Sequence, residues 1–149
     1  MVRHPVNIPP HDLGHLLARA SRELNRAVHE RLVALGYNDL RIAHGAVFAR
    51  IGDEGARLTE LAERAGMTKQ SMAELVDDLV AKGYLERAAD PRDARARLLR
   101  PTAKGRRHLR DARRIVAEVE SQLERRLGRA RSRALREALA EIADRQTGG

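Results

Sequence analysis

The chain has 149 residues, with 29 Lys and Arg against 21 Asp and Glu and a formal net charge of +8, which suits one core or two small lobes and favours polyanionic partners over cationic ones. It contains no cysteine, so disulfides, thiol nucleophiles and cysteine-ligated metal centres are excluded. One Phe, two Tyr and no Trp leave the core to Leu, Val, Ile and Ala, and argue against readers of RNA or single strands that stack bases on aromatic rings.

Residues 1–10 hold three prolines and no apolar period, and read as an extended arm leading through Pro9, Pro10 and His11 into a helix. Apolar positions then recur from Leu13 through Leu16, Leu17, Leu24 and Val28 to Leu35, a long amphipathic helix stopped by Gly36. Asp39 is the expected N-cap of a second helix carrying Ile42, Val47 and Ile51, and Thr59 that of a short third helix ending at Gly66. Thr68 is placed to cap a fourth helix that buries Met72, Leu75, Val76, Leu79 and Val80 and stops at Gly83. Tyr84 to Ala89 and Arg95 to Arg100 are short enough for two strands, joined by a turn over residues 90–94. Thr102 is the expected cap of a long helix with Leu109, Ala112, Val116, Val119, Leu123 and Leu127 on one stripe, ended by Gly128, and a last helix runs around Leu135, Leu139 and Ile142. No stretch approaches the roughly 20 apolar residues of a membrane span, and the start lacks the apolar run of a secretion signal, so a cytoplasmic location and no membrane partner are expected.

A short helix, a tight turn with glycine, a longer helix and a hairpin form the order of a winged helix-turn-helix, whose second helix enters the major groove of duplex DNA. The expected fold is thus mainly α with a small β-hairpin. Groove reading needs a polar first turn on an otherwise anchored helix, because only that end reaches base edges. Thr68, Lys69, Gln70 and Ser71 occupy it. Around the hairpin turn Arg92, Arg95 and Arg97 are candidates for phosphates or a narrow minor groove, and Asp93 is placed to position Arg95. The terminal helices are too long for one 149-residue chain to bury their apolar faces, which points to a homodimer.

The run Gly66-Met67-Thr68-Lys69-Gln70-Ser71-Met72, the segment Lys82-Gly83-Tyr84-Leu85, the stretch from Asp90-Pro91 to Arg97, and Thr102-Ala103-Lys104-Gly105 together resemble the multiple antibiotic resistance regulator (MarR) family. The resemblance spans most of the chain. It implies a winged helix-turn-helix over residues 37–101, with residues 1–36 and 102–149 supplying a dimerisation lobe. It further implies a homodimer on a pseudo-palindromic operator, usually a repressor released by a small-molecule effector that binds between the lobes, where His15 and His44 are candidates. Glu74 and Asp78 depart from the family, which often has basic residues there, and Pro101 replaces a usual leucine. Acidic side chains repel phosphate, so the middle of the recognition helix is expected to face away from the DNA backbone, or the contacts to shift towards Lys69, Gln70 and the wing.

His11 and His15 are four apart but have no fixed third partner, so neither a metal nor another cofactor is expected. No nucleophile-base pair or phosphate-binding glycine loop supports an enzyme. The rival reading is a non-specific architectural or RNA-binding basic protein.

Overall fold

The computed structural model describes residues 12–144. The arm, the lead-in at Pro9, Pro10 and His11, and hence the His11–His15 pair, lie outside the described residues. Helix α1 (Leu13–Ala34) starts at Asp12, whose carboxylate accepts from the His15 amide at 3.1 Å. It ends at Gly36 in a left-handed turn (φ +103°).

Two of the expected caps differ. Asp39 caps no helix. A 3₁₀ turn over Ile42–His44 precedes α2 (Gly45–Ile51), and the His44 ring closes that turn by accepting from the Arg41 amide at 2.9 Å. Asp39 instead accepts from the Tyr84 hydroxyl at 2.8 Å, a partner 45 residues away. Helix α3 (Leu58–Ala65) begins one residue before Thr59, and Glu60 reaches back to the Arg57 amide at 2.9 Å, so the third-position glutamate does the work assigned to threonine. Gly66 ends α3 in αL geometry. Thr68 does cap α4 (Lys69–Ala81), accepting from the Ser71 amide at 3.1 Å.

Strands β1 (Leu85–Asp90) and β2 (Asp93–Pro101) pair antiparallel with Leu85 opposite Pro101 and an irregularity at Ala89/Asp90. The turn is therefore Pro91-Arg92 alone, shorter than residues 90–94, because Asp90 and Asp93 already face each other across the ladder. On its other edge β2 meets the segment before α3. Ala56 and Leu99 exchange two backbone hydrogen bonds of 3.0 and 2.9 Å. Gly55 permits the approach, since a Cβ there would lie 2.4 Å from the Leu99 carbonyl oxygen.

Helix α5 (Ala103–Leu127) is capped by Thr102, which accepts from the Gly105 amide at 3.1 Å and donates to the Gly83 carbonyl at 2.6 Å. Its buried face runs through His108, Leu109, Ile115 and Val119, and Val116, expected in the stripe, is 40% exposed. Helix α6 (Arg129–Asp144) folds back on α5 and buries none of its residues. Val47, Leu61, Met72 and Leu79 form the core under α2, α3 and α4. No helix among the described residues is long and apolar enough to cross a membrane.

Candidate nucleic-acid interface

The α3–turn–α4 unit with its hairpin presents one anchored helix and one braced loop. Met72, Leu75, Val76 and Leu79 bury one face of α4, leaving its first turn outward. Lys69, Gln70 and Ser71 are all exposed there. The Ser71 and Thr68 hydroxyls lie 2.9 Å apart, so both take part in the helix cap. Lys69 makes no ion pair among the described residues.

The wing is held from below by Asp90, whose side chain is fully buried. Its carboxylate accepts from the Arg92 amide at 2.8 Å, from Arg57 Nε at 2.6 Å and from the Arg92 guanidinium at 3.3 and 3.4 Å. The Arg92 amide first, then Arg57, pull its pKa down to about 2. Arg57 sits at the start of α3, so the carboxylate ties the hairpin tip to the helix-turn-helix. Sequence reasoning missed Asp90 as an anchor. The signal was an Asp-Pro at a turn, but the cation that buries it comes from 33 residues away.

Arg92 is drawn into this network, with Glu60 a further 3.7 Å from its guanidinium. Arg95 and Arg97 are exposed and make no ion pair among the described residues. The Arg95 amide donates to Asp93 at 3.0 Å, which fixes the backbone from which that side chain projects. Glu74 is exposed. Asp78 turns inward, accepting from Lys82 Nζ at 2.6 Å and lying 2.8 Å from His44 Nε2 and 3.7 Å from Arg41. The hydrogen bond from Lys82 holds the Asp78 carboxyl below its ordinary range, against its partial burial.

His15 and His44 do not meet. His15 is at the exposed start of α1, bonded to Asp12, whereas His44 is buried against Asp78 of α4. The groove between α5 and α6, lined by Glu120, Glu124, Arg125 and Arg129, contains neither histidine. The histidine that sequence reasoning overlooked is His108. It is 3% exposed, and the Phe48, Tyr37 and Tyr84 rings pack on it with centroids 4.1, 4.6 and 5.8 Å away. The Tyr37 hydroxyl donates to Asp111 of α5 at 2.6 Å, and burial together with that carboxylate pushes its pKa up to about 12. Lys104 donates to the Lys82 carbonyl at 2.9 Å and covers the Tyr84 ring at 4.2 Å. The start of α5 is thereby locked to the segment joining α4 to the hairpin.

A short helix, a glycine turn, an anchored helix with a polar first turn and a braced hairpin define a winged helix-turn-helix protein. The sequence profile of the MarR family matches residues 38–96. CouR of Rhodococcus jostii RHA1, solved with p-coumaroyl-CoA, superposes with a TM-score of 0.73 at 28% identity over 92% of this chain and 95% of its own. The repressor CouR solved on a 23-mer DNA duplex gives the same TM-score and identity over 95% and 99% of the two chains. Residues 38–96 thus match the MarR family, and a MarR-family transcriptional regulator from Rhodococcus sp. RHA1 superposes with a TM-score of 0.73 at 27% identity over 92% of this chain and 97% of its own. The exopolysaccharide II synthesis transcriptional activator ExpG of Rhizobium meliloti is 28% identical over 95 residues, 64% of this chain and 49% of that protein. The chain thus matches about half the length of that relative.

Proposed function

We propose that the chain is a sequence-specific regulator that binds a pseudo-palindromic operator in duplex DNA as a homodimer, and acts in the cytoplasm as a repressor released by a small ligand. One observation carries the reading: the exposed cations Lys69, Arg95 and Arg97 stand on an anchored helix start and a braced wing, unneutralised by any carboxylate among the described residues. Helix first turns read base edges, and wing arginines reach phosphates or the minor groove. Thr68, Lys69, Gln70 and Ser71 form the reading head, Arg92, Arg95 and Arg97 the wing contacts, and Asp93 positions Arg95. Residues 37–101 then form the DNA-reading part and residues 1–36 and 102–149 the dimer lobe. Leu13 and Leu16 on α1 and Leu135, Leu139 and Ile142 on α6 are between 39 and 63% exposed, and apolar stripes of that kind need a cover. In a symmetric dimer the two reading heads would sit about 34 Å apart, one turn of DNA.

CouR's structures on DNA and with an acyl-CoA support a regulator that answers to a ligand, while ExpG is named an activator. Genomic fragments retained by the purified protein supply the operator, and anisotropy titrations compare it with random duplex. A preference of at least about 10³ is expected, with transcription rising when the gene is deleted. Equal affinity for both duplexes sinks the reading in favour of a non-specific basic protein, and falling transcription reverses the sign of regulation.

A further inference from the structure

Asp78, nine residues into the recognition helix, is held from outside that helix by a histidine. The His44 ring is 1% exposed and has both nitrogens placed. Nδ1 accepts from the Arg41 amide at 2.9 Å, so Nε2 carries the proton of the neutral ring, and Nε2 lies 2.8 Å from Asp78 Oδ2, off the line of a straight hydrogen bond. One ring therefore joins the turn that leads into α2 to the third turn of α4. We propose that His44 and Asp78 are positioning residues that set the recognition helix, and that proton uptake at His44 releases it.

This rests on the DNA-reading function proposed above and adds a regulatory input to it. A second proton on His44 has only Nδ1 to occupy, where the Arg41 N–H already points. Two donors then face each other, and the ring must turn or the 3₁₀ turn must open. The charged and titratable groups facing the ring are Asp78 and Lys82 from α4, Arg41 from its own turn and His108 from α5. Burial comes first in opposing the second proton, Lys82 and Arg41 add to it, and Asp78 works the other way, leaving the ring below its ordinary value of 6.5. The closed arrangement thus prefers the neutral ring; that preference is fully present above about pH 6.5 and is lost as pH falls, by up to about tenfold per pH unit in each protomer. Roughly 14 Å of rigid helix separates Asp78 from Lys69 at 1.5 Å per residue, so release at Asp78 is felt at the reading head.

The test measures operator affinity from about pH 8 to about pH 5.5 at constant ionic strength for the wild type and His44→Gln. The glutamine amide accepts from Arg41 and donates to Asp78 without titrating. At high pH the two are expected to bind within about threefold, and at low pH the wild type to lose about tenfold more than the variant. Parallel profiles overturn the proposal. A second measurement needs no DNA: imidazole nitrogen shifts of the free wild-type protein report proton uptake at His44, and the α4 amide shifts are expected to move with it. Titration of His44 that leaves the α4 amides unmoved refutes the coupling. A wild type that does not prefer its operator even at high pH defeats the DNA-reading function, while the shifts in the free protein still decide the coupling.

Discussion

Gly55→Ala probes the contact that seats the wing on the helix-turn-helix. Gly55 has φ +87°, and the added Cβ would stand 2.4 Å from the Leu99 carbonyl oxygen, a backbone atom. Reaching an ordinary contact of about 3.4 Å needs β2 to retreat by about 1 Å. That retreat stretches the two Ala56–Leu99 hydrogen bonds of 3.0 and 2.9 Å, each contributing about 1 kcal/mol, and the left-handed φ costs a further 1–2 kcal/mol or so. The total is about 3–4 kcal/mol. Gly66 supplies the internal control. It too has positive φ (+62°) but no atom within 4 Å of an added Cβ, so Gly66→Ala should cost only about 1 kcal/mol. Urea unfolding of the three proteins at one protein concentration, with amide exchange along β2, measures both. A Gly55→Ala cost no larger than that of Gly66→Ala would falsify the claim that the bridge braces the wing.

Arg95→Ala is expected to weaken operator binding by about 10- to 100-fold, while the melting temperature moves by no more than about 1 °C, because the exposed side chain makes no ion pair among the described residues. Unchanged affinity in a gel-shift titration removes the wing contact. Asp90 titrates near 2 in the fold against 3.8 ordinarily, so its anchoring is complete above about pH 4 and lost as pH falls through about 2. Asp90→Asn should loosen β1 and β2 to amide exchange at neutral pH and erase that part of the acid-unfolding slope; an unaltered slope refutes it. His108 is driven by burial to about 4 from 6.5, so the unfolded chain binds a proton that the fold refuses. Stability should fall by about 3 kcal/mol between about pH 6.5 and 4, and His108→Leu should flatten that fall in urea midpoints. A variant as pH-sensitive as the wild type places the loss elsewhere.

Short-range signals in the sequence were the readable ones. Thr68 and Thr102 cap helices through amides three residues on, at 3.1 Å each, and both were visible as a threonine before an apolar period. Gly36, Gly66 and Gly83 marked turns that require positive φ. What escaped depends on partners far along the chain. Asp39 looked like a cap, yet its partner Tyr84 is 45 residues distant. His108 sits among Arg106, Arg107 and Arg110, and nothing local says that Phe48, Tyr37 and Tyr84 converge on it. Ile115 joined the core in place of Val116 because the long helix faces two surfaces, and a stripe drawn at alternating three and four steps follows only one of them. Asp78, by contrast, was conspicuous as an acid on the recognition helix. Its charge and its i,i+4 partner Lys82 are local signals, whereas its companion His44 comes from a distant segment and could not be read.

The convergence of rings on His108 has an optical consequence. With no Trp and two Tyr, the tyrosine emission arises from Tyr37 and Tyr84 and is not masked by indole. Both are buried, their centroids are 6.4 Å apart, and each hydroxyl is held by a carboxylate, Asp111 or Asp39. The protein therefore carries both tyrosine fluorophores at the seam between α5 and the segments that follow α1 and α4. A change in tyrosine emission on adding a small molecule reports on that seam, and events confined to the wing tip or to α6 stay dark.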